Sequence, residues 1–331
     1  MTAYDLKEYA IVADIGGTFA RFSRVNLVSL QMDKIEIYPC ASFSNIDSVL
    51  IAYRTQHSLQ ELRRVAIAIA CPVIDDLICM TNCHWQFSIQ ELKHRLNLTE
   101  LRVMNDFTAI AMSLPELSLQ DVIQIGSGYS DVNKVRVVLG AGTGLGVAYL
   151  IPNQQSYTAY AGEGGHADWG AKSEQEWFIH TYLKKHYSHV SLERVLSGHG
   201  LENLYKAIAA YRGQDRAPLR AAEIISLALT EECPIAQATV EQFFVCLGTY
   251  AGDLALTYGA FGGVYIAGGI VPRLISLIKQ SKFRVCFEDK GRFTDFNALI
   301  PTYMITAEQP GILGAAASLK HAIKGEFDVV S

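Results

Sequence analysis

Three carboxylates stand where this sequence can do chemistry. Asp14 closes the apolar run Tyr9 to Ala13 and opens a glycine turn, Asp14-Ile15-Gly16-Gly17-Thr18. Asp106 follows another apolar run, Leu101-Arg102-Val103-Met104, with Asn105 beside it. Glu163 lies in Gly162-Glu163-Gly164-Gly165-His166-Ala167-Asp168, where acidic and imidazole side chains alternate with glycines that leave room for a ligand. A second glycine turn, Gly140-Ala141-Gly142-Thr143-Gly144-Leu145-Gly146, repeats the design of the first. Without a Cβ, glycine lets backbone N–H groups approach phosphate oxygens and tolerates positive φ. Two such cradles, a carboxylate and a metal are what transfer of a phosphoryl group to an alcohol requires, since positioning and electrostatics supply most of its rate. Asp106 is the candidate base, the Asn105 amide can both donate to and accept from a hydroxyl, and a carboxylate at Asp14 can hold Mg²⁺ through water.

Each feature also has a plainer reading. Either glycine turn alone is equally an ordinary hairpin turn, and it is their pairing that points to phosphate. Asn105-Asp106 alone reads as a turn or helix cap before Phe107-Thr108-Ala109. The loop from Gly162 to Asp168 in isolation is a surface loop with solvated charges. Glu193, in Leu192-Glu193-Arg194-Val195-Leu196-Ser197-Gly198, reads as half of a solvent-facing Glu-Arg pair.

The elements that must position these residues alternate in type. Strands are expected at Tyr9 to Ala13, Phe19 to Asn26 and Lys34 to Cys40, then a helix over Asn45 to Gln56 and a buried strand from Arg64 to Cys71. A hairpin-like segment and a short helix lead to the strand ending at Met104. Val135 to Leu139 enters the second glycine turn. This is an α/β pattern in two similar halves. Neither turn fits G-x-x-x-x-G-K-[ST], and neither opens a helix, so phosphates would meet hairpin turns. Helices are expected at Glu174 to His186, Leu201 to Tyr211 and Ile235 to Tyr258. In the last of these, Val240, Phe243, Phe244, Leu247, Leu254 and Tyr258 recur near helical spacing and read as core. Gly263 to Ala267 is a buried strand ending in Gly268-Gly269-Ile270, the kind of strand end at which α/β proteins admit ligands, with Pro272 early in a following helix. The small residues after Pro310 suit close helix crossing. No Pro- or Ser-rich linker interrupts the chain, and the domains expected are 1–116 plus 305–331, and 117–304.

At 331 residues, 50% hydrophobic and 18% charged, the chain has the composition of a folded soluble protein with room for two cores. A net charge of −5 gives no electrostatic footprint for nucleic acid. No apolar run is long enough for a membrane span, and Met1 to Tyr9 lacks the apolar core of a signal peptide, so the expected location is cytoplasmic. Seven scattered cysteines argue against a disulfide framework. Cys79, Cys83 and His84 lack a second ligand pair at zinc-site spacing.

Taken together, Asp14 to Thr18, Asn105 to Thr108, Gly140 to Gly146, Gly162 to His166, Glu193 to Gly200, Ala267 to Ile270 and Phe287 to Phe293 resemble, in order and spacing, the bacterial glucokinase family of the hexokinase, actin and Hsp70 ATPase superfamily. The resemblance runs from about Tyr9 to Leu319. It implies an α/β fold of two ribonuclease H-like domains with a cleft between them, and often a homodimer. It implies ATP-dependent phosphorylation of the glucose 6-hydroxyl, with ATP and Mg²⁺ as cofactors. Asp106 would be the base, while Asn105, Glu163, His166 and Glu193 would bind sugar hydroxyls. Asp14, Ile15, Gly16, Gly17 and Thr18 with Gly142, Thr143 and Gly144 would straddle the phosphates, Gly268 and Gly269 would face the adenosine, and the metal would sit at Asp14 through water. Two positions depart from the family: Phe19 stands where asparagine is usual after Gly16-Gly17-Thr18, and His199 where proline is common. The cysteine-rich zinc motif of the related repressor, open reading frame and kinase (ROK) family is absent. Mannose, fructose or an amino sugar as acceptor would keep the same chemistry. A sugar-sensing regulator on this scaffold normally needs a DNA-binding segment, and the residues before Tyr9 carry no basic cluster. A non-catalytic clamp of the actin or Hsp70 type would not need the set Asn105, Asp106, Glu163 and His166.

Overall fold

Near-continuous burial along the first strand, with side chains alternating between two cores, sets up a sheet covered on both faces. In β1 (Tyr9–Ile15), Ala10 and Val12 enter one core, while Ile11, Ala13 and Ile15 enter the other. The computed structural model describes residues 8–80, 83–153 and 156–324; Met1 to Lys7, most of the Met1 to Tyr9 stretch considered as a leader, lie outside them. β1 pairs antiparallel with β2 (Phe19–Asn26), which pairs antiparallel with β3 (Met32–Pro39). On its other edge β1 takes β4 (Arg64–Ile69) in parallel. A two-stranded ribbon, β5 (Leu77–Cys79) with β6 (Gln86–Ser88), precedes β7 (Glu100–Asn105), which joins β4 in parallel. The order is β3-β2-β1-β4-β7.

One face is covered by the helix Ile46–His57, started by a capping box at Asn45, through Val49, Leu50 and Tyr53, with Trp85 and Phe87 completing that core. The other is covered by the helices Asp106–Ser113 and Pro310–Lys324. Its strand residues include Ala10, Ala66 and Ala68, met by Ala109, Ile312, Ala315, Ala316 and Leu319. Small side chains on both partners bring the helices close. Where these two helices meet, a Cβ on Gly314 would fall 1.6 Å from the Ala109 carbonyl oxygen, so no larger residue fits. Residues 1–118, 148–161 and 307–331 group as this unit.

Residues 119–147 and 162–306 group as the other. The second sheet consists of β8 (Val122–Ile125), β9 (Arg136–Ala141), β10 (Leu145–Asn153), β11 (Ser156–Gly162), β12 (Val264–Ala267) and β13 (Thr302–Ile305), in the order β11-β10-β9-β12-β13-β8, residues 148–161 of β10 and β11 grouping with the first unit. β12 is parallel to both β9 and β13, and β8 closes the edge antiparallel to β13. Counted from β1 and from β9, both sheets run third, second, first, fourth, fifth. The duplication expected from the two glycine turns is thus present in the strand order. The helices Glu174–Lys184, Gly198–Tyr211, Ala221–Leu229 and Pro234–Tyr258 come after β11. Val240, Phe243, Phe244, Leu247 and Leu254 of the last are buried, as their spacing predicts. The helix expected around Pro272 is instead a 3-10 turn, Val271–Leu274, and one further turn, Ile275–Ile278. Among the described residues no helix is long and apolar enough to cross a membrane.

Candidate active site

In the first unit, residues 16–18 form the tip of the β1–β2 hairpin, whose register sets Asp14 opposite Arg21 and Ile15 opposite Ala20. The Gly16 N–H donates to the Phe19 carbonyl at 3.0 Å, and the Cys40 N–H donates to the Thr18 carbonyl at 2.9 Å. The turn is therefore braced from within, and the N–H groups of Gly17 and Thr18 are the ones left for a ligand. Asp14, Gly16, Gly17, Thr18, Phe19, Arg21 and Ile37 line a cavity of about 290 Å³. Burial raises the Asp14 carboxyl above its ordinary pKa, against the lowering effect of Arg21. Phe19 is exposed at the lip of this cavity.

Asp106 belongs to the same unit. β7 delivers Asn105 as the N-cap of the helix Asp106–Ser113: its Oδ1 accepts from the N–H groups of Phe107 (2.9 Å) and Thr108 (3.3 Å), and its Nδ2 donates to the Cys71 carbonyl at 3.3 Å. The helix-cap reading of Asn105 is thus realised, which leaves one amide N–H for a hydroxyl. The Asp106 carboxyl is pushed up to about 6, chiefly by burial and also by the charge of Asp14, against the hydrogen bond it accepts from the Phe107 N–H at 2.9 Å. A carboxylate of that pKa is a stronger proton acceptor than an exposed one, yet mostly ionised at neutral pH. The helix that begins at Pro310 reaches Asp14 and packs on the helix that starts at Asp106. Gly311 lies against the Asp14 carboxylate, and Gly314 seats the helix on Ala109.

In the second unit, residues 142–144 turn between β9 and β10. The Gly142 N–H donates to the Gly144 carbonyl at 2.8 Å, the counterpart of the Gly16 brace, leaving Thr143 and Gly144 to donate outward. Gly268, at φ +85°, packs its backbone on the Ala141 carbonyl, where a Cβ would come within 2.3 Å; Gly269 beside it meets open space. The glycine pair at the end of β12 therefore lies next to the second turn. Gly164–His166 is a single 3-10 turn, with the Glu163 carboxylate 3.9 Å from His166 Nε2 and both side chains largely exposed. His189 ties this loop down: its Nε2 is 2.8 Å from the His166 carbonyl and its Nδ1 is 3.1 Å from the Asp168 carboxylate.

Glu193 is not the solvent-facing partner of Arg194. Its Oε2 accepts from the Leu145 N–H at 3.0 Å, against Gly144. His199 is the second residue of a helix capped by Ser197, points outward and lies 3.4 Å from Glu202. Sequence reasoning misses Arg21, Tyr250 and Leu145. The signal for Arg21 is its symmetric spacing with Asp14 about the hairpin turn. Tyr250, whose buried hydroxyl faces Gly164 without a partner, carries no local signal, being distant in the chain. Among the described residues there is no cluster of three or more His, Cys, Asp or Glu side chains able to cage a metal.

Comparison with known proteins places the fold and the family. The solved glucokinase of an Antarctic psychrotroph matches with a TM-score of 0.86 and 37% identity, covering 94% of this chain and 98% of that one. A ROK family glucokinase from Streptomyces griseus, solved in complex with glucose and AMPPNP, shares the fold at a TM-score of 0.63 and 18% identity, over 93% and 98% of the two chains. The fold is that of a sugar kinase of the actin-like ATPase and hexokinase architecture. A curated glucokinase of Salmonella arizonae is 43% identical over 320 residues, 96% of this chain and 99% of that protein, and the sequence model of the Glucokinase family matches residues 11–322. The chain belongs to the glucokinase family.

Proposed function

We propose that this enzyme moves the γ-phosphoryl group of ATP to the 6-hydroxyl of glucose, giving glucose 6-phosphate and ADP. The observation that carries the reading is Asp106, a half-buried carboxylate with its pKa raised to about 6 at a helix start beside Asn105, in a chain so similar to glucokinases. Asp106 takes the proton of the attacking hydroxyl as the new P–O bond forms. Asn105, Glu163, His166 and Glu193 hold the other sugar hydroxyls. The free N–H groups of Gly17 and Thr18, and of Thr143 and Gly144, bind phosphate oxygens, and Gly268 and Gly269 accommodate the adenosine. A divalent cation fits the donor set. Asp14 is a carboxylate raised by burial near a second raised carboxylate, and one carboxylate with waters and phosphates is a usual Mg²⁺ environment. Bound there, Mg²⁺ would neutralise charge developing on the phosphates. The same reading makes the protein a cytoplasmic homodimer, supported by family resemblance.

An ADP-release assay over a panel of hexoses tests this directly. Glucose is expected to stimulate ADP release most strongly; preference for mannose, fructose or an amino sugar would reassign the acceptor, and no stimulation by any sugar would defeat the kinase reading. Phe19 gives a second expectation. Because its ring lines the first phosphate turn and its carbonyl braces Gly16, Phe19→Asn is expected to change the KM for ATP more than the KM for glucose. Steady-state kinetics with each substrate varied would show the reverse if Phe19 lay outside the phosphate site.

A further inference from the structure

The backbone of one residue, Leu145, joins three pieces of the second unit. Its N–H is held by Glu193 Oε2 at 3.0 Å. Its carbonyl is packed against Gly165 so tightly that a Cβ there would lie 2.1 Å from the oxygen. It also comes directly after Gly144, where a Cβ would meet Glu193 Oε2 at 2.6 Å. The turn bearing Glu193 is itself rigid: the Ser197 hydroxyl donates to the Glu193 carbonyl at 2.8 Å and accepts from the Gly200 N–H at 2.9 Å. It grips the glycine turn at a second point, the Gly198 N–H donating to the Gly142 carbonyl at 2.9 Å.

We propose that Glu193 is a positioning residue for the 142–144 turn, and that through Leu145 it couples the sugar loop 163–166 to that turn. The proposal rests on the reading that these loops hold sugar and nucleotide. One Glu193 oxygen fixes the Leu145 N–H, which leaves Thr143 and Gly144 as the outward donors, while the other oxygen is free for a sugar hydroxyl. A hydrogen bond from backbone N–H to a carboxylate is charge-assisted and stronger than one to a neutral amide. Withdrawing it frees the entry to β10, which loosens the phosphate donors even when no sugar is present. A residue serving only the sugar would not do this. Coupling of this kind is reciprocal, so glucose should tighten ADP binding by the factor by which ADP tightens glucose binding.

The test is calorimetric titration of ADP into the native enzyme, Glu193→Ala and Glu193→Gln, without sugar and with saturating glucose. In the absence of sugar, Glu193→Ala is expected to weaken ADP at least fivefold and Glu193→Gln, which keeps an acceptor oxygen, two- to threefold. In the native enzyme glucose is expected to tighten ADP by about fivefold or more, and in Glu193→Ala by less than twofold. Unchanged sugar-free ADP affinity in Glu193→Ala would overturn the positioning role, and absence of coupling in the native enzyme would overturn the link. If the alanine variant does not fold, glutamine decides alone: sugar-free affinity equal to native refutes the proposal. Failure of the glucokinase reading would show separately, as native enzyme that binds ADP yet releases none in response to glucose.

Discussion

Asp106→Asn is expected to lower kcat for glucose phosphorylation by about 10²- to 10⁴-fold, the range set by loss of a general base, while the folded protein becomes more stable at neutral pH. The two effects share one cause. Burial and the neighbouring Asp14 charge oppose ionisation of Asp106 and lift its pKa from 3.8 to about 6. A carboxyl raised in the folded state stabilises that state most at pH below its unfolded value, and the contribution is lost as pH rises through about 6. At pH 7 the ionised group therefore costs on the order of 1–3 kcal/mol, which asparagine removes. The activity has the opposite pH dependence. The ionised form is the base, so native kcat/KM should fall as pH drops through about 6. Urea denaturation and a pH–rate profile check both halves; near-native turnover in the variant would remove Asp106 from the base role.

Gly314→Ala should damage the enzyme without touching the site. Its Cβ would sit 1.6 Å from the Ala109 carbonyl oxygen, and neither helix backbone can yield that far locally. The helices must part, opening the packing of Ala315 and Ala316 over Ala66 and Ala68. A loss of about 3 kcal/mol, at the upper end for overpacking, is expected, with activity falling because the same helix carries Gly311 against Asp14. Gly170→Ala is the control, since nothing lies within 4 Å of its added methyl. Thermal unfolding of the two variants side by side decides the matter, and equal midpoints would show that the helices are not fixed by this contact.

Features fixed by local chemistry are legible in the sequence. Glycine turns between apolar runs point to both hairpins, and the period of Val240, Phe243, Phe244 and Leu247 points to the long helix. Features fixed by distant contacts are not legible. Glu193 looks like a surface residue until a backbone N–H 48 positions away is found on its carboxylate. The strands β8 and β13, of four residues each, are too short to show a period. Pro272 does sit early in a helical turn, but the short turns 271–274 and 275–278 are held by tertiary packing and not by a helical pattern. The grouping of residues 148–161 with the first unit leaves no mark in composition.

The helix Pro310–Lys324 bears on how the chain is made. It covers the alanine face of the first sheet and lies against Asp14, yet it is the last of the described elements to be synthesised. A nascent chain would carry Ala10, Val12, Ala66 and Ala68 without their partner until residues 310–324 had been translated. Contacts of such sequence separation form late, and an apolar face left open for that time invites chaperone capture or aggregation. Covering of the first sheet thus waits for residues 310–324, and a ribosome stalled short of this helix would release a sheet without its cover.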